Sequence, residues 1–188
     1  MVRVPEHAAC IDRYEASLAD GVAGGADGKA TTARAMSKKG AVPAVMVSQL
    51  QARAACERAG KRLCRREEWV AACKGAGGKR KYAYGAKYEA GRCHDRALAK
   101  RRKSERPLPS GAAAGCRTPE GVFDLSGNVW EWLSDTLTGG DTAHMIGGGF
   151  GNDDDDENLS CVPEHVMAQP LAQQIEAVGF RCCRDLGP

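Results

Sequence analysis

The stretch FDLSGNVWEW, Phe123 to Trp132, places two of the chain's three tryptophans on either side of one glutamate. A Gly-Asn pair lets the backbone turn tightly and aim carbonyl oxygens inward. Asp124 and Glu131 bring two carboxylates to that corner, and hard oxygens are the donors that Ca²⁺ prefers. Trp130 and Trp132 supply apolar surface to hold the corner rigid. The third tryptophan, Trp69, lies far away in sequence.

Working outward, Val45 to Gly60 reads as a helix with its leading staple. Ser48 is a good N-cap, and Gln51 stands where a capping box requires it. Leu50, Ala54 and Ala55 form its apolar side, and Gly60 ends it. A second helix covers about Arg66 to Lys74, with Trp69 and Cys73 one turn apart on one face and Gly75 as its stop. Cys10 to Ala16 alternates like a strand, and Val178 to Arg184 (VGFRCCR) looks like a final strand. Asp20 to Lys39 has almost nothing to bury and reads as a surface loop. Gly75 to Arg106 is basic and Gly-rich; its run KRRKSER, Lys100 to Arg106, has no interleaved aromatics and reads as solvated loop. Pro107 to Pro119 reads as a linker, and no internal repeat is visible.

The chain's 188 residues suit one domain, residues 1–188. Aromatic content is only 5 % while Gly numbers 23, so turns are many and large core residues few. Such a core needs cross-links or metals. The nine cysteines are dispersed, with no Cys-x-x-Cys and no zinc-finger spacing, which favours a disulfide framework and an oxidising compartment. The odd count leaves at least one thiol free or paired outside the chain. Met1 to Pro5 has no apolar export region, so an address for export would lie outside this sequence. No apolar run is long enough to span a bilayer. The net charge of +3 is too small to argue for a polyanionic partner, and nothing points to nucleic acid.

Six stretches in order resemble the formylglycine-generating enzyme (sulfatase-modifying factor) family. They are IDRYEAS (Ile11 to Ser17), GKRLCRREEWVAAC (Gly60 to Cys73), YAYG (Tyr82 to Gly85), FDLSGNVWEW, GGGF (Gly147 to Phe150) and GFRC (Gly179 to Cys182). The resemblance implies an α+β, C-type lectin-like fold, with two helices packed on small antiparallel sheets, loop-rich and disulfide-stapled. It implies a structural Ca²⁺ held by the side chains of Asp124 and Glu131 and the carbonyls of Gly127 and Val129. The alternative for that corner is a metal-free turn with Glu131 bonded to backbone amides. The family's second calcium site lies in the region after YAYG, where this chain has Cys93-His94-Asp95 and the basic run, and it is not carried over. The resemblance also pairs Cys56 with Cys182, Cys73 with Cys161, and Cys93 with Cys116. Cys182 and Cys183 should face opposite sides of a strand, so Cys183 could take either Cys10 or Cys64.

The family's enzyme oxidises a cysteine with O₂ through copper(I) on two cysteines that follow the GG-Ser-aromatic landmark. Laid on GGGF, those positions are Asn152 and Glu157, neither of which replaces a thiolate for copper(I). No copper is therefore expected. A sulfur–carbon bond-forming branch needs a histidine cluster, whereas His7, His94, His144 and His165 are isolated. What remains is a non-catalytic binding domain in a secreted, periplasmic or cell-surface setting, with the surface of residues 147–165 facing a protein or glycan ligand. Asn152, Asp153, Asp154, Asp155, Asp156, Glu157 and Asn158 would form a recognition surface for a cationic or hydroxyl-rich ligand; the plainer reading is an acidic loop facing the basic run. The pattern also resembles ligand-binding proteins diversified by retroelements, whose variable positions end near GFRC. The competing readings are an altered-site metal-dependent oxidoreductase and a structural module of a larger envelope protein.

Overall fold

The computed structural model describes residues 1–19, 32–137, 139–153, 157–161 and 167–187. Among these residues, ten strands and three α-helices occur in the order β1 (Val2–Arg3), β2 (Ala9–Ile11), β3 (Ala16–Ala19), β4 (Arg34–Ser37), α1 (Gln49–Arg58), β5 (Arg62–Leu63), α2 (Arg66–Lys74), α3 (Arg96–Arg102), β6 (Trp130–Thr136), β7 (Thr142–Ile146), β8 (Met167–Pro170), β9 (Val178–Phe180) and β10 (Cys182–Asp185). They form a sheet ordered β1-β2-β10-β5, a sheet ordered β8-β7-β6-β9, and the β3-β4 hairpin. Pairing is antiparallel except between β6 and β9, which run parallel.

The local chemistry of the helices matches their sequence. Ser48 and Gln51 exchange both capping-box bonds, at 3.1 and 2.9 Å. Gly75, at φ 72°, closes α2. The buried face of α1 differs from the expected one: Gln49, Ala52, Ala55 and Cys56 point inward, while Leu50 and Ala54 are half-buried. Gln49 is drawn in because its amide donates to the Leu133 carbonyl at 3.2 Å.

Four other expectations change. Cys10 to Ala16 is not one strand; the chain turns at Asp12–Glu15, leaving β2 and β3 in different sheets. Of the Asp20–Lys39 loop, residues 34–37 form β4, and residues 20–31 lie outside the described set. The basic run is partly helical. Asp95 caps α3 by accepting from the Leu98 amide at 2.8 Å, and Lys103 ends it in a left-handed conformation, φ 52°. Leu98, its single buried side chain, packs with Cys93, Ala113 and Cys116. The Pro107–Pro119 segment is bonded into the core through Leu108, Ser110 and Gly111 rather than hanging as a linker.

Two apolar clusters lie on opposite faces of β6. Strand alternation sends Trp130 and Trp132 into one, with Cys56, Val178, Phe180 and Cys182, and Leu133 into the other, with Trp69, Leu125, Cys64 and Cys183. The same alternation at Cys182 and Cys183 aims the two sulfurs apart. Cys182 joins Cys56, and Cys183 joins Cys64, which resolves the open choice. Cys73–Cys161 and Cys93–Cys116 complete the set, and Cys10 is the free thiol. We expect mass spectrometry of alkylated native protein to find one modified cysteine, Cys10. The double change Cys64→Ala with Cys183→Ala opens a 119-residue separation and should lower the unfolding free energy by about 2–5 kcal/mol in urea titration.

Candidate functional site

The Gly-Asn corner is the hub of the polar core. Gly127, at φ 96°, admits no side chain, because a Cβ would meet the His94 carbonyl at 2.6 Å. Asn128, at φ 64°, turns its side chain inward. Its Oδ1 accepts from the Leu108 amide at 2.8 Å, and its Nδ2 donates to Glu15 at 2.7 Å and to the Leu108 carbonyl at 3.1 Å. With the amide so oriented, Oδ1 accepts from His94 Nδ1 at 3.0 Å, fixing the tautomer that carries its proton on Nδ1. His94 Nε2 is then a bare acceptor, buried with no partner among the described residues. Burial pushes the His94 pKa down, so the ring is neutral.

Glu131 points to the opposite face of β6 from the two tryptophans that flank it. Its carboxylate is clasped by Arg181, with Nε to Oε2 and Nη2 to Oε1 both at 2.6 Å. The distant Trp69 completes the arrangement by donating Nε1–H to Glu131 at 2.8 Å. Arg181 also donates to the carbonyls of Asp12 and Phe123, at 3.1 and 2.9 Å. Both partners of the ion pair are at most 1 % exposed.

Glu15 and Asp124 sit beside this pair. Glu15 accepts from Ser110, Asn128 and the Val129 amide. Burial, with Asp124 and Glu131 as like-charged neighbours, raises its pKa well above the carboxylate range. Asp124 accepts from the Gly111 amide at 2.7 Å, and burial pushes its pKa up to about 7. Three buried carboxylates thus share one guanidinium, and protons offset part of the excess charge.

As arranged, these residues do not fit a calcium ion. Of the four expected ligands, Glu131 already gives both oxygens to Arg181, whose fixed positive charge would repel a second cation. Among the described residues no group of three or more His, Cys, Asp or Glu side chains is assembled to hold a metal. The metal-free alternative also changes in detail: Glu131 is bonded to a guanidinium and an indole, not to backbone amides.

The described residues of the acidic stretch are engaged internally. Asn152 Oδ1 accepts from the Gly149 amide at 2.9 Å, closing its own turn. Asp153 pairs with Arg96 and Glu157 with Lys81, each at 2.9 Å. Asn158 is half-buried, and Asp154, Asp155, Asp156 and residues 162–166 lie outside the described residues. The described acids thus pair with Arg96 and Lys81, both outside the basic run Lys100 to Arg106.

Next to them lies a cavity of about 1010 Å³ that sequence reasoning missed. The C-terminal segments contribute Phe150, Gly151, Glu176 and Ala177, and α3 with the residues after it contributes Arg96, Lys100, Lys103 and Arg106. Phe150 stacks on the His94 ring with centroids 5.6 Å apart. The aromatic residue of GGGF was legible as a landmark, but its neighbour across the groove was not, because α3 hides one apolar residue among cations.

An α+β domain clamped by four disulfides, with a charged groove on its loop-rich side, is the class these features define. The chain belongs to the sulfatase-modifying factor enzyme 1-like domain family, whose sequence model matches residues 2–186. It is similar to the inactive C-alpha-formylglycine-generating enzyme 2 of Bos taurus, 29 % identical over 153 residues that make up 77 % of this chain and 51 % of that protein. The chain thus spans about half the length of that curated relative. Treponema denticola variable protein 1 shares the fold at TM-score 0.60 and 15 % identity, covering 93 % of this chain and 94 % of that one. PvdO from Pseudomonas aeruginosa does so at TM-score 0.60 and 15 % identity, covering 95 % and 94 %. The fold is the C-type lectin-like one that the sequence implies.

Asp124 gives the core a pH dependence with a definite sign. Its folded pKa, about 7, lies above the ordinary value of 3.8, so the folded state holds the proton more tightly. Its contribution is complete below the unfolded pKa and is lost as pH rises through about 7, by at most about 1.4 kcal/mol per pH unit. Asp124→Asn keeps the acceptor for Gly111 and suits the positive φ of 60°. We expect melting temperatures between pH 5 and 8 to fall less steeply for this variant than for wild type; equal slopes would show that Asp124 is ionised throughout.

Proposed function

We propose that this chain is a non-catalytic ligand-binding domain whose recognition surface is the groove beside Phe150 and Gly151, within the C-terminal surface of residues 147–165. The carrying observation is what occupies the place of the family's copper-binding cysteine pair. Asn152 closes a turn, Glu157 holds Lys81, and eight of the nine cysteines are in disulfides, leaving only Cys10 on β2. A soft two-thiolate site cannot be built from one thiol. The relative named as inactive supports the same reading, as does the likeness in fold to a variable protein. Diversification of the segment ending near GFRC belongs to this proposal.

The four disulfides support an oxidising location, and the proposal places the protein outside the cytosol, secreted, periplasmic or at a cell surface. No helix among the described residues is long and apolar enough to cross a membrane.

Gly151 provides a direct test. A Cβ there meets nothing within 4 Å, so the backbone accepts a side chain, and Gly151→Trp places an indole at the groove mouth. Labelled wild type and variant are applied to glycan and peptide arrays. Wild type should retain a defined set of binders that the variant loses, at unchanged melting temperature. An identical profile, or no binder on either array, would favour the structural-module reading.

We further propose that the Gly-Asn corner works without calcium, because Arg181 supplies the cation that the carboxylates need. Exhaustive chelation should then leave the melting temperature within about a degree, since the loss of a bound ion would lower it by mass action. A drop reversed by added Ca²⁺ would restore calcium at Asp124, Gly127, Val129 and Glu131.

A further inference from the structure

Resting on that reading of the groove, we infer that its ligand is an acidic saccharide. The lining combines three kinds of group. Lys100, Lys103 and Arg106 are exposed and make no ion pair among the described residues. Arg96 is different: Asp153 and the Gly151 carbonyl hold it, so it shapes the wall with its charge largely matched. Cations at the end of a helix offset its dipole, which accounts for Lys100. Lys103, the C-cap, shares that role, whereas Arg106 lies past the helix, where the dipole no longer asks for it.

The second group is the ring of Phe150. It is half-buried, and its stack on His94 is anchored through Asn128 to the buried Glu15. A ring held this way needs little ordering when a ligand lies on it. The third group is the carboxylate pair Glu105 and Glu176. Carboxylates repel a uniformly charged polyanion, yet accept hydrogen bonds from hydroxyls. Uncompensated cations for acid groups, a fixed apolar face for a ring, and acceptors for hydroxyls together describe a sugar that carries carboxylate or sulfate.

The test titrates the whole protein at physiological salt with a panel of uronate-, sulfate- and sialic-acid-bearing oligosaccharides. Carboxyl-reduced or desulfated counterparts and inorganic tripolyphosphate serve as comparisons. At least one acidic saccharide should bind, with its neutral counterpart weaker by tenfold or more and tripolyphosphate weaker still. The exposed triple variant Lys100→Ser, Lys103→Ser, Arg106→Ser should keep its melting temperature and lose tenfold or more in affinity. Glu176→Gln should weaken the saccharide and not tripolyphosphate. Failure of the whole panel, a neutral counterpart or tripolyphosphate binding as tightly, or an unaffected triple variant would each overturn the inference. If Gly151→Trp still removes binders from the arrays in that case, the recognition surface stands and only the ligand class falls.

Discussion

The ion pair between Glu131 and Arg181 is the constraint around which the rest is arranged. Arg181 is the single residue between β9 and β10, where the chain leaves one four-stranded sheet for the other. Its guanidinium reaches Glu131 on β6 and the carbonyls of Asp12 and Phe123, so one side chain ties both sheets to two loops. A buried pair of this kind gains little over well-packed hydrophobic residues. Removal of one partner, however, leaves a stranded charge costing about 3–5 kcal/mol. The pair therefore acts chiefly on arrangement: a one-residue slip of β6 would turn Glu131 away from Arg181.

The covalent framework follows from the same switch. Because Arg181 turns the chain between sheets, Cys182 and Cys183 emerge on opposite faces of β10 and reach opposite cores. One sulfur holds α1 through Cys56, and the other holds the loop after β5 through Cys64. With aromatic residues at 5 % of the chain, the clusters contain many alanines and cysteines, whose small surfaces bury little apolar area. Cross-links that limit the unfolded chain compensate for that thin core.

Much of this was legible because it rests on local rules. The capping box of α1, the glycine stop of α2 and the opposed sulfurs of β10 each depend on a few adjacent residues. Arg181 and Glu15 were not legible. Each sits in a quoted landmark, GFRC and IDRYEAS, as a charge among apolar neighbours, and its partners are tens of residues away. The notion of a carboxylate corner seeking a cation was sound chemistry. It looked to a metal for that cation, since Arg181, whose guanidinium binds Glu131, comes from the far end of the chain. Helix α3 was hidden for a related reason, since seven residues with one buried leucine carry no readable periodicity.

Net charge is silent on such local arrangement. A total of +3 averages over surfaces that never meet. In the fold, Asp153 is taken up by Arg96 and Glu157 by Lys81. Lys100, Lys103 and Arg106 line the groove and make no ion pair among the described residues. Asp153 thus holds Arg96, and Asn152 closes the turn that follows Phe150. The disulfides and the Glu131–Arg181 pair lie outside the groove lining, so changes in its side chains need not disturb what holds the fold. That separation between clamp and surface is what a scaffold needs if its ligand contacts are to vary while its core does not.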